Sequence, residues 1–184
     1  MSLKKYSNSA WQDITTLKKY KNSAWEECSI AKKYNNSAWQ EVWSRDMVVK
    51  LDRVVMHNGA NYTISLRDNG YGINYTITGA ETEDNTPHAI VLGISNYAGF
   101  YNTTVKFTYS MNVSSMLGGM YVMKSDLTTK LYQDNVSTTT TVTNTYALNG
   151  ETKFYFLIDT YENTSNIGYL TNVYVNGVQL KFSI

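Results

Sequence analysis

The chain has a single cysteine, Cys28, so it cannot form an intramolecular disulfide or a zinc site built from cysteines. It lacks any run of about 18 apolar residues, which excludes a membrane-spanning helix. No apolar segment with a small-residue cleavage site follows the basic start, so no signal peptide is visible. The formal charges nearly cancel, at +1. We therefore expect neither membrane insertion nor binding to nucleic acid.

Residues suited to catalysis are also scarce. The only histidines are His57 and His88, and neither stands at a metal-ligand spacing or beside a nucleophile motif. The acidic run "ETEDN" is typical of a solvated loop. We predict that the protein is not an enzyme and that it has no cofactor.

Tryptophan is absent from most of the chain, and the composition changes near residue 46. All four tryptophans and half of the basic residues precede this point, whereas most Tyr, Thr, Val and Asn residues follow it. This contrast predicts two parts, residues 1–46 and residues 47–184.

The second part lacks long helical periodicity and reads as about nine short strands rich in β-branched and aromatic residues. In "TTVKFTYSMNV" the apolar residues alternate with polar ones, which predicts one buried and one solvated face. Turns are predicted where two consecutive residues both tolerate a positive φ. These pairs are Asn58-Gly59, Asn69-Gly70, Gly118-Gly119, Asn149-Gly150 and Asn176-Gly177. The pattern indicates an all-β antiparallel sandwich or barrel.

The segment "KFYFLIDTYENTSNIGYLTNVYVNGVQL", Lys153 to Leu180, is similar to the closing part of jelly-roll carbohydrate-binding modules. The resemblance implies a jelly-roll-like β-sandwich for residues 47–184. It also raises the prospect of a structural calcium ion held by loop oxygens, for which Asp68 and Asp159 are the candidates.

Such modules stack sugar rings on exposed aromatic side chains, and this part of the chain has no tryptophan. A glycan platform would therefore consist mainly of tyrosines in or beside loops. The candidates are Tyr97, Phe100, Tyr101, Tyr132 and Tyr161. The alternative is that these are ordinary strand and turn residues.

The first part contains three copies of one unit, "KKYSNSAWQ", "KKYKNSAWE" and "KKYNNSAWQ", at a period of 14 residues. Each copy matches the S-x-x-E/Q capping box of a helix, and its apolar or small residues recur with a coiled-coil period. However, Asn-Ser interrupts every helix after about eleven residues, which is too short to persist alone. We favour a β-hairpin in each repeat, with Tyr facing Trp across an Asn-Ser turn.

One such unit is too small to bury its own aromatic side chains, so each copy must stack on a neighbour or on another chain. Self-association through the repeats is therefore predicted. The stacking residues would be Tyr6, Trp11, Tyr20, Trp25, Tyr34 and Trp39.

The repeats resemble the "KxYxNGAWQ" repeats of tail- or fibre-associated structural proteins of phages and prophages of Gram-positive bacteria, with Ser in place of the usual Gly. The resemblance implies a structural or receptor-binding protein found in the virion, or in the bacterial cytoplasm before assembly. Its sandwich would present a surface for a host envelope glycan or another phage protein. The alternatives are a free carbohydrate-binding module or lectin, and an accessory domain of a cell-wall-active enzyme.

Overall fold

The computed structural model describes most of the chain. The described residues are 4–7, 10–13, 18–21, 24–27, 30–35, 38–44, 47–57, 59–79, 87–114, 118–161 and 164–184. Before residue 47, and at residues 97 and 98, only the backbone is described. The chain divides into two compact units, the hairpin unit, Met1–Met47, and the sandwich unit, Val48–Ile184.

The hairpin unit contains three separate two-stranded antiparallel sheets. Their strands are β1 (Lys4–Ser7), β2 (Ala10–Asp13), β3 (Lys18–Lys21), β4 (Ala24–Glu27), β5 (Ile30–Asn35) and β6 (Ala38–Ser44). In each repeat the tyrosine is paired directly with the tryptophan, as Tyr6 is with Trp11. The predicted hairpins are confirmed, and the helical alternative is wrong. The Asn-Ser positions between the paired strands lie outside the described residues.

The sandwich unit is all-β except for one 3-10 turn, Asp68–Gly70, within the part of the chain that is described. Its strands are β7 (Val49–Val55), β8 (Asn61–Arg67), β9 (Gly72–Thr78), β10 (His88–Val113), β11 (Gly119–Lys124), β12 (Lys130–Asp134), β13 (Thr138–Thr160), β14 (Ser165–Val175), β15 (Val178–Gln179) and β16 (Phe182–Ser183). The pairing is antiparallel except between β16 and β7. This is the predicted jelly-roll-like β-sandwich.

The two long strands, β10 and β13, pair along both of their halves and take part in both layers of the sandwich. The first half of β10 and the second half of β13 lie in a layer with the order β16-β7-β10-β13-β11-β12. Their other halves lie in a layer with the order β13-β10-β14-β9-β8. We call these the first and second layers.

The long strand pair has to double back between the layers. Phe156 is the cross-strand partner of Leu92, and in a straight strand Phe107 would lie about 50 Å further along. Instead the rings of Phe107 and Phe156 have their centroids 4.9 Å apart. The register is irregular between Ser95 and Asn102, which marks where the pair bends.

Two glycines make the bend possible. Gly99 and Gly150 both have positive φ, at 81° and 89°, a conformation that side chains with a Cβ rarely adopt. A Cβ on Gly99 would also lie 2.9 Å from the carbonyl oxygen of Gly150. The predicted turn at Asn149-Gly150 is therefore a corner inside one long strand.

The core lies between the layers and follows the predicted alternation. Val105, Phe107, Tyr109 and Met111 are buried, whereas the intervening side chains are partly or fully exposed. Burial in this core and the nearby Asp134 carboxylate, to which its hydroxyl donates, raise the pKa of Tyr109.

The sequence analysis missed β12 and the first half of β13. The run "TTTTVTNTYAL" contains only three side chains that are buried, Val142, Tyr146 and Leu148. The other face of this run carries threonine side chains, and Thr141 and Thr108 are hydrogen-bonded across strands at 2.9 Å.

Within the described residues, no helix is long and apolar enough to cross a membrane.

Phe107→Ala should strongly destabilise the sandwich unit because Phe107 also contacts the rings of Tyr109 and Tyr132 between the layers. We expect a loss of about 3–5 kcal/mol in the free energy of unfolding, measured by urea denaturation followed by circular dichroism. Tyr62→Ala is the control, since Tyr62 is 42% exposed, and should cost less than about 1 kcal/mol. Equal losses in both variants would contradict this description of the core.

Candidate ligand-binding groove

A groove of about 310 Å³ lies on the outer face of the first layer, on the side away from the core. It crosses strands β7, β10, β13, β11 and β12. Its lining residues are Arg53, Val55, Pro87, Ala89, Val91, Tyr121, Met123, Leu127, Lys130, Leu157, Asp159 and Tyr161.

The groove exists because the strand "HAIVLGIS" is apolar on both faces. Ile90, Leu92 and Ile94 face the core and are fully buried. Ala89 and Val91 point to the other face, where Val91 belongs to a second apolar cluster with Tyr121, Met123 and Tyr155. Such a strand normally has cover on both sides, but among the described residues of the sandwich unit no second layer lies over this face.

Two neighbouring cross-strand rows form the floor of the groove. In one row Leu157 of β13 stands between Val91 of β10 and Tyr121 of β11, and Arg53 of β7 lies beyond Val91. In the other row the central residue is Asp159. Its neighbours across the strands are the small residues Ala89 and Gly119.

Asp159 is the most unusual side chain of the groove. It is only 6% exposed, and its Oδ1 atom has no hydrogen-bond partner among the described residues. Burial raises the pKa of this carboxyl group to about 7, although the Gly119 backbone N–H and the charge of Lys130 act in the opposite direction. A buried acceptor without a donor is costly, so the site is suited to receive a donor from outside.

Two cations and a buried phenol border the floor. Arg53 is exposed on β7, and Lys130 on β12 holds its Nζ atom 5.0 Å from the centroid of the Tyr121 ring. Asn135 donates a hydrogen bond of 2.6 Å to the Tyr121 hydroxyl. Burial, with the nearby Asp159, raises the pKa of Tyr121 to about 12, so this side chain stays neutral near neutral pH.

The loop between β11 and β12 holds Leu127 against the apolar cluster. Leu127 has a positive φ of 56°, which is uncommon for a residue other than glycine. The Asp126 carboxylate fixes the loop by accepting hydrogen bonds of 2.8 Å from the backbone N–H groups of Thr128 and Thr129. The Thr129 hydroxyl, which donates to the same carboxylate at 2.6 Å, and these two N–H groups lower the pKa of Asp126, so one wall of the groove is preformed.

The five residues of the predicted aromatic platform do not lie together on one exposed surface. Phe100 is 2% exposed and packs on Phe154 in the core, so its inclusion is wrong. Tyr132 points between the layers, where its hydroxyl bonds that of Tyr109 at 2.7 Å, so it does not offer an exposed ring either. Tyr101 is 66% exposed at the bend of the long strands. Tyr161 lines the groove, and the side chain of Tyr97 lies outside the described residues.

Sequence reasoning missed most of the groove. Tyr121, Tyr155 and Leu157 lie in runs for which the residue types predict a strand but do not indicate which face of the sheet each side chain occupies. The apolar residues on both faces of "HAIVLGIS" and of "FYFLIDT" were the available signal, because a strand of a two-layer sandwich needs only one apolar face. The turn predicted at Gly118-Gly119 is wrong at its second residue, because Gly119 lies in β11, where a Cβ would come within 2.5 Å of the Asp134 carbonyl oxygen.

The described residues contain no group of three or more His, Cys, Asp or Glu side chains placed to hold a metal ion. Asp68, one of the two calcium candidates, instead pairs with Arg67 at 3.0 Å and accepts a hydrogen bond of 2.8 Å from the Thr171 hydroxyl. The other candidate, Asp159, is the carboxyl group on the groove floor.

No known protein-family model and no curated protein matches this chain. Among solved structures it is similar to a CBM4 module, at 17% identity and a TM-score of 0.39, covering 64% of this chain and 77% of that one. A family 29 carbohydrate-binding module has 15% identity and a TM-score of 0.37, with 71% and 87% covered. The C-terminal CBM6 of LamC from Zobellia galactanivorans has 14% identity and a TM-score of 0.34, with 62% and 92% covered. The function of the groove is therefore inferred from its own residues.

Asp159→Asn should change how the stability of the chain depends on pH. The folded-state pKa of about 7 lies above the ordinary value of 3.8, so the folded chain binds more protons than the unfolded chain between these values. The stabilisation is fully present below about pH 4 and is lost as the pH rises towards about 7, with a steepest slope of about 1.4 kcal/mol per pH unit.

The variant lacks this titration, so its stability should improve relative to the native chain as the pH rises from about 4 to 7. Urea denaturation at several pH values measures the difference. Burial and the neighbouring His57 lower the pKa of His88, which makes the free energy of unfolding rise with pH. Both proteins contain His88, so the difference between them does not include this contribution. A difference that does not vary with pH would show that Asp159 titrates normally.

Proposed function

We propose that the sandwich unit is a non-catalytic module that binds a carbohydrate chain in the groove. We further propose that the hairpin unit serves for self-association or attachment in a virion-associated structural protein. The observation that carries the first proposal is the groove itself, which has a mostly apolar lining and a few polar groups, Arg53, Lys130 and Asp159. This combination is typical of ligand sites in proteins.

The dimensions and chemistry of the groove suit an extended sugar chain. From β7 to β12 the groove crosses four strand spacings, or about 19 Å, which is long enough for several linked sugar units. The apolar faces of sugar rings would lie on the partly exposed side chains of Leu157, Leu127 and Tyr161. Sugar hydroxyls would bond to the polar groups at the rim and on the floor.

The proposal for the hairpin unit rests on the repeats. Each copy pairs one tyrosine with one tryptophan across a two-stranded hairpin. An isolated hairpin of this size is marginal in water, so contacts between repeats or between chains have to stabilise it. The resemblance to repeats of phage tail- and fibre-associated proteins supports a virion role. A free lectin would need no such unit.

Binding of the full chain to a glycan array, followed by calorimetry with the best glycan, tests the groove. Tyr161→Ala should weaken binding by about tenfold or more, because it removes the partly exposed ring of the groove. Ala89→Trp should abolish binding by filling the groove from its floor. Near-ultraviolet circular dichroism of each variant confirms that the chain is folded.

Tyr101→Ala is the matched control, since Tyr101 is the most exposed tyrosine described outside the groove. It should bind like the native chain. If this variant loses binding while Tyr161→Ala keeps its glycan affinity, the binding site is at the bend of the long strands and not in the groove. Absence of binding to any glycan would refute the carbohydrate proposal.

The role of the hairpin unit can be tested by replacing the tryptophan of each Tyr-Trp pair in the full chain. The triple Ala variant at Trp11, Trp25 and Trp39 should convert an oligomer into a monomer, as measured by multi-angle light scattering. Trp43→Ala is the control, because Trp43 is paired with Ala31 instead of a tyrosine. If the native chain is already a monomer, the free-module alternative is correct.

A further inference from the structure

The Oδ1 atom of Asp159 is an acceptor that the described part of the fold leaves without a donor. Asp159 lines the groove floor, where its cross-strand neighbours Ala89 and Gly119 have little or no side chain beside its buried carboxyl group. Buried polar atoms in native proteins are almost always paired. An unpaired acceptor in a residue that lines a groove is therefore suited to a donor on a ligand.

We propose that Oδ1 of Asp159 accepts a hydrogen bond from a free hydroxyl group of the bound saccharide, so that the groove selects a neutral sugar unsubstituted at this point. This inference rests on the proposed carbohydrate-binding function and adds the chemical class of the ligand.

The charges around Asp159 favour a neutral donor over a cationic one. Lys130 on β12 acts electrostatically on the carboxyl group, and Arg53 on β7 lines the same groove. An ammonium group on the ligand would be repelled by both cations. A hydroxyl group brings no charge, and its hydrogen bond to a buried carboxylate is stronger than a bond between neutral groups.

The same contact makes binding depend on pH. With a carboxyl pKa of about 7, Asp159 is largely protonated in mildly acidic solution, where it is the weaker acceptor. The affinity for the sugar should therefore rise by about tenfold between about pH 5.5 and 8.5.

Other groups near Asp159 do not produce this change. Tyr121 and Tyr161 face it from β11 and from the end of β13, and burial raises the pKa of both. Lysine and arginine side chains ordinarily titrate above about pH 10. His88 is next to Ala89 but points to the core, and burial lowers its pKa. Any effect of His57 or His88 would remain in an Asp159 variant.

The test measures binding of four hexasaccharides to the full chain by calorimetry at both pH values. Two are neutral, built of glucose and of mannose, one is a cationic glucosamine chain, and one is an anionic galacturonate chain. A neutral chain should bind best. Asp159→Asn should reduce its affinity about tenfold at the higher pH and remove the pH dependence, while Asp68→Asn, outside the groove, should change neither.

The outcomes separate this inference from the proposed function. One outcome is that a neutral saccharide binds to the native chain, fails to bind to Ala89→Trp, and keeps its affinity in Asp159→Asn and at both pH values. In that case the groove binds carbohydrate, but Asp159 does not accept a hydrogen bond from it. Preferred binding of the glucosamine or the galacturonate chain would contradict the proposal that the groove selects a neutral saccharide. If no chain binds, on this panel or on the array, both proposals fall.

Discussion

The pairing of β10 with β13 is the contact on which the rest of the sandwich unit depends. The two strands pair along both halves, and every other strand of this unit that the structure describes attaches to one of those halves directly or through a neighbour. The pair has to bend, and Gly99 and Gly150 permit the bend because their backbones adopt a positive φ. Once bent, the pair brings Phe107 against Phe156 and closes the core between the layers.

The groove is a consequence of this arrangement. The first half of β10 lies in the middle of the first layer, so its second apolar face points away from the core. On that face Val91 packs with Tyr121, Met123 and Tyr155 in a separate apolar cluster. Strands form the floor, and a loop fixed by Asp126 forms one wall. A site built on paired strands keeps its geometry without a ligand, which suits the binding role that we propose.

Asp159 lowers stability at the point where we propose that the ligand finds an acceptor. A hydrophobic residue there would bury more apolar area and leave no unpaired atom. Proteins commonly tolerate such local cost at functional sites because the surrounding fold provides enough stability. The hairpin unit is the opposite case, since its sheets have two strands each and too little surface to bury their own aromatic side chains.

Local patterns in the sequence determined most of the strands, the turns at Asn69-Gly70 and Asn176-Gly177 and the Tyr-Trp register of the hairpins. Alternation, positive φ and short-range pairing depend on neighbouring residues. The tertiary structure alone decided that two separate runs form one bent strand, that Phe100 and Tyr132 turn inwards, and that Asp159 lies unpaired on the floor of a groove. Burial depends on which face another layer covers, and the residues that supply that layer lie far away in the sequence.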